Sequence, residues 1–149
     1  MQGNDLGSYW SVKFIVLAEP TIFERPEDTY RVPIRGKGIG KKEITGKDYR
    51  INQLMVAWIV NVGRQRNIPT EIWTFNQDEE LVNSLATRLD RLASNCVVGW
   101  QQWADEEEAT LEMRVDPAIH TVYDADPDRV ERLWGMRGHR VLRGAAPSS

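Results

Sequence analysis

The chain has 149 residues, 41% hydrophobic and 28% charged, with a formal net charge of −3. These values fit one globular domain that buries a core without staples, and they exclude a globally disordered chain. The single cysteine, Cys96, excludes an internal disulfide and a cysteine-built zinc site, and its place in the run Cys96-Val97-Val98 predicts a buried, inert thiol.

Residues 10–17 set Trp10, Val12, Phe14 and Val16 on one face and Ser11, Lys13, Ile15 and Leu17 on the other, the period of a strand. The second half is apolar on both faces, as in a strand entering a covered sheet. Prolines 26 and 33 and glycines 36, 38, 40 and 46 break the pattern over residues 24–49, predicting an inserted flap whose hairpin pairs 31–34 with 43–45. Ile51, Leu54, Met55, Trp58, Ile59 and Val62 then recur at helical spacing, predicting a deeply packed helix over 51–66 that stops at Asn67-Ile68-Pro69.

A second strand is expected over 70–75, followed by a helix opened by Asn76 with Glu79 and carrying Leu81, Leu85, Leu89 and Leu92 on one side. Residues 96–100 give a third strand. The acidic run Asp105 to Glu108 favours a solvated helix or loop over 103–113. A fourth strand follows over 118–123. Asp126 and Pro127 then open a helix whose Val130, Leu133 and Trp134 face inward, Gly138 ends it, and a last strand over 139–142 precedes a polar tail expected to be disordered at 144–149. Alternating strands and helices of these lengths predict a single domain over 1–143, a three-layer α/β/α sandwich with a mostly parallel, Rossmann-like sheet. Neither a membrane span of ~18 apolar residues nor a signal-like N-terminus is present, so a cytoplasmic protein is expected.

Loops beyond the carboxyl ends of parallel strands converge on the ligand site. That rule gathers Glu19 and Thr21, Thr74 and Asn76, and Asp124 and Asp126. The stretch 14–23, Phe-Ile-Val-Leu-Ala-Glu-Pro-Thr-Ile-Phe, resembles the opening strand and Asp-x-Asp-Gly-Thr loop of the haloacid-dehalogenase-like superfamily. The stretch 120–130, His-Thr-Val-Tyr-Asp-Ala-Asp-Pro-Asp-Arg-Val, resembles that family's closing acidic motif, and the stretch 123–141 further resembles the phosphatase domain of polynucleotide kinases. The resemblance implies a vestigial site of Leu17, Glu19, Thr21, Thr74, Asp124 and Asp126, in which Leu17 stands at the place of the nucleophilic aspartate. It also implies Mg²⁺, for which Asp124 and Asp126 are the candidate ligands, and a Lys or Arg with no clear match beyond Arg114. Leucine cannot attack phosphorus, and the loss of a hard oxygen ligand removes affinity for Mg²⁺. For Asp124 and Asp126, helix capping outweighs metal binding.

Charge is unevenly spread: residues 31–50 hold seven Lys or Arg against two acids, and residues 77–131 hold fourteen acids against four Lys or Arg. The basic flap, with Arg35, Lys37, Lys41 and Lys42, suits an acidic protein or nucleic acid, and equally a solvated hairpin tip. Its glycine spacing does not make a phosphate-binding loop. Trp100 and Trp103 flank Gln101-Gln102 and are candidates either for stacking on a partner or for core packing.

Three functions remain open on this reading: an inactive binding or regulatory protein, an accessory of a virus (phage) or bacterium; a divergent Mg²⁺-dependent phosphohydrolase or nucleic-acid end-processing phosphatase using Glu19, Asp124 and Asp126; and a structural or assembly protein that uses the fold as a scaffold. No cofactor is expected under the first and third.

Overall fold

A computed structural model of the chain describes residues 12–27, 31–34, 38–41 and 43–148, with 31–34 and 38–41 as backbone alone. In chain order it comprises β1 (Lys13–Leu17), β2 (Phe23–Glu24), β3 (Arg31–Ile34), β4 (Gly38–Lys41), β5 (Arg50–Ile51), α1 (Gln53–Gln65), β6 (Thr70–Thr74), α2 (Glu79–Leu92), β7 (Val97–Gln102), α3 (Glu106–Val115), β8 (Ile119–Asp124), a helical turn α4 (Pro127–Arg129) widening through Val130–Trp134, and β9 (Gly138–Arg140).

Five of these strands form one sheet in the order β7-β6-β1-β8-β9, every pairing parallel. The chain steps outward from β1 to β6 and β7, then jumps back across β1 to β8 and β9. Because crossovers between parallel strands are right-handed, that reversal puts α1 and α2 on one face and α3 with the C-terminal helical turns on the other. The two faces of β1 record this split. Phe14, Val16 and Ala18 pack with Met55, Ile59, Ile72 and Leu85, whereas Ile15 and Leu17 pack with Trp73, Ala109, Met113 and Trp134. The architecture is a Rossmann-like α/β sandwich, and its switch point lies between the carboxyl ends of β1 and β8.

The helix boundaries follow from their caps. Asn52, expected inside the first helix, precedes it: its Oδ1 accepts from Met55 N, and α1 starts one residue later, while Ile51 pairs with Phe23 in the small β2–β5 ladder. At α2 the cap is Asp78, which accepts from Leu81 N, and not Asn76, whose side chain instead accepts from Asp78 N. Of the expected leucine row on α2, Leu85 and Leu89 are buried and Leu92 is 53% exposed.

Of the solvated helix or loop expected over the acidic run, the structure has the helix, α3. Asp105 accepts from Glu108 N, and three glutamates occupy the first turn, where the helix dipole favours negative charge. Ala109 and Met113 give the helix a buried face.

The flap hairpin pairs β3 with β4, register Arg31 with Lys41 through Ile34 with Gly38, so residues 43–45 are not its second strand. Those residues lead into a helical turn at Gly46–Asp48, closed by a reciprocal Thr45 and Asp48 capping box. Arg88 of α2 clamps this turn by donating from Nη1 to the carbonyls of Gly46 and Tyr49, and its guanidinium lies 5.3 Å from the Phe23 ring centroid. The tail, expected to be disordered, is held at Ala145, whose carbonyl accepts from Asn52 Nδ2 at 2.8 Å. Among the described residues no helix is long and apolar enough to cross a membrane.

Candidate functional site

β1 ends at the centre of the sheet, with Leu17 in register with Trp73 of β6 and Val16 with Tyr123 of β8. Thr74 and Asp124 are the next residues along those neighbours, so the three strand ends named from sequence converge. A pocket of about 260 Å³ opens there, lined by Leu17, Glu19, Trp73, Thr74, Phe75, Asn76 and Arg129. Thr21, Asp124 and Asp126 are not among its lining residues.

Most of the polar groups that sequence brought together are already engaged. Thr21 Oγ1 accepts from Ala125 N at 2.9 Å, fastening the loop after β1 to the loop after β8. Thr74 Oγ1 accepts from Asn76 N at 3.1 Å in a local turn. Asp126 Oδ1 accepts from Asp128 N and Arg129 N, which makes it the cap of α4 with Pro127 in the first helical position. Leu17 is 1% exposed and completes the apolar cluster with Trp73 and Trp134. The position is therefore filled by packing.

Asp124 is 0% exposed, yet it is a carboxylate. Burial at that cost requires full pairing. Its Oδ2 accepts from Arg129 Nε at 2.8 Å and from Trp134 Nε1 at 2.8 Å, and its Oδ1 accepts from Arg129 Nη2 at 2.9 Å and from Asp126 N at 3.0 Å. The arginine fork meets both oxygens, the geometry in which charge-assisted pairs are strongest. Arg129 Nη2 donates in addition to the Glu19 carbonyl, Arg129 Nε stands 3.7 Å from Asp126 Oδ2, and the guanidinium lies 5.6 Å from the Phe75 ring centroid. Neither Arg129 nor Trp134 was named as a site residue from sequence, where Trp134 was expected only to face inward, as it does. The legible signal was that Arg129 is the one Lys or Arg among residues 115–131, surrounded by acids.

Glu19 is the acid of the pocket that keeps accessible surface. Burial raises its pKa above the ordinary glutamate value, opposed by a hydrogen bond from Asn76 and by the charges of Arg25 and Arg129. Asn76 Nδ2 reaches Glu19 Oε1 at 3.5 Å.

The oxygens present do not suit Mg²⁺, which demands several free hard ligands in near-octahedral order. Asp124 has both oxygens saturated, Asp126 caps a helix, and no group of three His, Cys, Asp or Glu able to hold a metal occurs among the described residues. Arg114, the basic candidate, is exposed in the last turn of α3. That helix starts at the carboxyl end of the sheet and runs back to the amino end, which removes Arg114 from the pocket.

Of the flap residues, Arg35, Lys37 and Lys42 lie outside the described residues, and Lys41 is described by backbone alone. Trp100 packs against the cluster under α1 and α2, and Trp103 sits edge-on to Trp73 with centroids 5.2 Å apart. Both indoles are half-buried, with Nε1 atoms that are buried and unpartnered among the described residues. A wider, mainly apolar groove of about 550 Å³ follows α1 past Val56, Ala57 and Val60 to Leu92 of α2, away from the strand ends. No protein-family model matches the chain, and no curated protein is detectably similar to it.

Proposed function

We propose that the protein is a non-catalytic binding or regulatory module built on a haloacid-dehalogenase-like scaffold. The observation that carries this reading is the saturation of Asp124: a carboxylate with four hydrogen bonds and no exposed surface is in no state to ligate a metal or to move a proton. The apolar Leu17 beside it supports the same reading, since phosphoryl transfer through a covalent intermediate needs an oxygen nucleophile at that strand end. Binding then falls to the surface, and the segment 31–50, with seven basic against two acidic residues, suits an anionic partner such as an acidic protein or nucleic acid. The C-terminal end of the segment is tied to α2 through Arg88, which donates to the carbonyls of Gly46 and Tyr49.

The test is hydrolysis of a phosphomonoester and of a 3′-phosphorylated oligonucleotide by purified protein in Mg²⁺, beside Asp124→Asn. No turnover above buffer is expected from either protein. Turnover by the wild type that Asp124→Asn abolishes would instead establish the divergent phosphohydrolase using Glu19, Asp124 and Asp126.

A further inference from the structure

We infer that Arg129 is the resident cation of this crevice, and that its guanidinium holds the oxygens which a divalent ion would otherwise gather. Four oxygens from two chain segments, the loop after β1 and the end of β8 with its loop, surround it: Asp124 Oδ1 and Oδ2, the Glu19 carbonyl and, at 3.7 Å, Asp126 Oδ2. Carboxylates together with a backbone carbonyl are the donors a hard cation collects. Here a permanently charged side chain satisfies them, 15% exposed and laid against Phe75.

The substitution changes what the crevice can do. A guanidinium neutralises and orients carboxylates through fixed N–H directions, but it offers no open coordination position and cannot lower the pKa of a bound water. Its place in the chain also makes the charge inseparable from the fold, because the four residues that link Asp124 to Arg129 include the α4 cap and Pro127. The loops after β1 and β8 are thus joined by a covalently supplied cation, and the chain has no need of a metal to hold them together.

This inference extends the non-catalytic reading of the same crevice, and the two fail separately: phosphatase turnover overturns the former reading, whereas the present one is decided by metal binding and stability. Replacing the guanidinium by a neutral group should uncover the oxygens and convert the crevice into a weak divalent-cation site. Arg129→Gln loses the guanidinium over Phe75 but keeps part of the aliphatic stem and an amide donor, so it is the variant more able to fold, and Arg129→Ala gives the larger opening.

Melting temperatures would be measured in millimolar MgCl₂, in NaCl of matched ionic strength and in chelator, and Mn²⁺ uptake would be followed by electron paramagnetic resonance. The wild type should melt at one temperature in all three and leave the Mn²⁺ signal unchanged. Arg129→Gln should melt roughly 10 °C lower, as expected when a buried ion pair loses one partner in a chain of this size. It should regain part of that loss in MgCl₂ but not in NaCl, and take up Mn²⁺ at least about tenfold more tightly than the wild type. If Arg129→Ala is too unstable to purify, Arg129→Gln alone decides. A wild type stabilised by MgCl₂ over matched NaCl, or an Arg129→Gln protein with neither a Mg²⁺ response nor Mn²⁺ uptake, overturns the inference.

Discussion

Two aspartates two positions apart have different work, and substitution separates them. Asp124→Asn places an amide against donors from Arg129 and Trp134 and leaves a guanidinium without its counter-charge, so it should cost about 3–5 kcal/mol. Asp126→Ala removes a helix cap and should cost about 1 kcal/mol. Urea denaturation of the two variants checks this contrast, and equal losses would contradict it. Glu19 gives a pH-dependent signature. Because its pKa is raised in the folded state, its contribution is most favourable at pH below the unfolded glutamate value, and stability is lost as pH rises through the folded value. Glu19→Gln keeps an acceptor for Asn76 without the charge, so it should melt slightly above the wild type at neutral pH, with the difference vanishing as pH falls to ~4. Thermal melts across that range provide the check. Leu17→Asp sets a carboxylate in a site that is 1% exposed among Trp73 and Trp134, and should cost about 3–5 kcal/mol without producing turnover.

At the scale of elements, the links between loops and helices were the least legible part of the sequence. Strand and helix order was readable because apolar periodicity is a local property, and the strand-end placement of Leu17, Thr74 and Asp124 followed from parallel order alone. The Arg129 lock was not readable, since Asp124 and Arg129 are five residues apart, outside the i, i+3 and i, i+4 pairs of a continuous helix, and meet only because a strand end, a turn and a cap bend the chain between them. At α3 the sequence left helix and loop open, and the tie that fixes the first turn is long-range: Arg132, from the last helical segment, pairs with Glu106 at 3.0 Å and draws its pKa down. Asn52 shows the same limitation. It caps α1 through Oδ1 and donates from Nδ2 to the carbonyls of Thr21 and Ala145, long-range contacts invisible to periodicity. Asn52→Ala should therefore lose about 2–4 kcal/mol, and Asn52→Asp should rescue little, because it retains the cap but turns an acceptor toward two carbonyls. Chemical denaturation of both variants tests the assignment.

Across the whole molecule, the sheet supplies a crevice at its switch point while the chain fills that crevice with its own side chains and carries basic charge on a separate insertion. The basic flap and the locked crevice should respond independently to substitution. Replacing Lys37, Lys41 and Lys42 by Glu should leave the melting temperature within about 2 °C of wild type while removing salt-sensitive binding to an anionic partner. The central claim, that Arg129 and not a metal holds Asp124, is tested most directly by a crystal structure of the wild type grown in millimolar MnCl₂ with anomalous data at the manganese edge. The account predicts an Arg129 fork on both Asp124 oxygens and no anomalous peak beside them. A peak at about 2.1 Å from Asp124, with Arg129 turned out of the crevice, would contradict it.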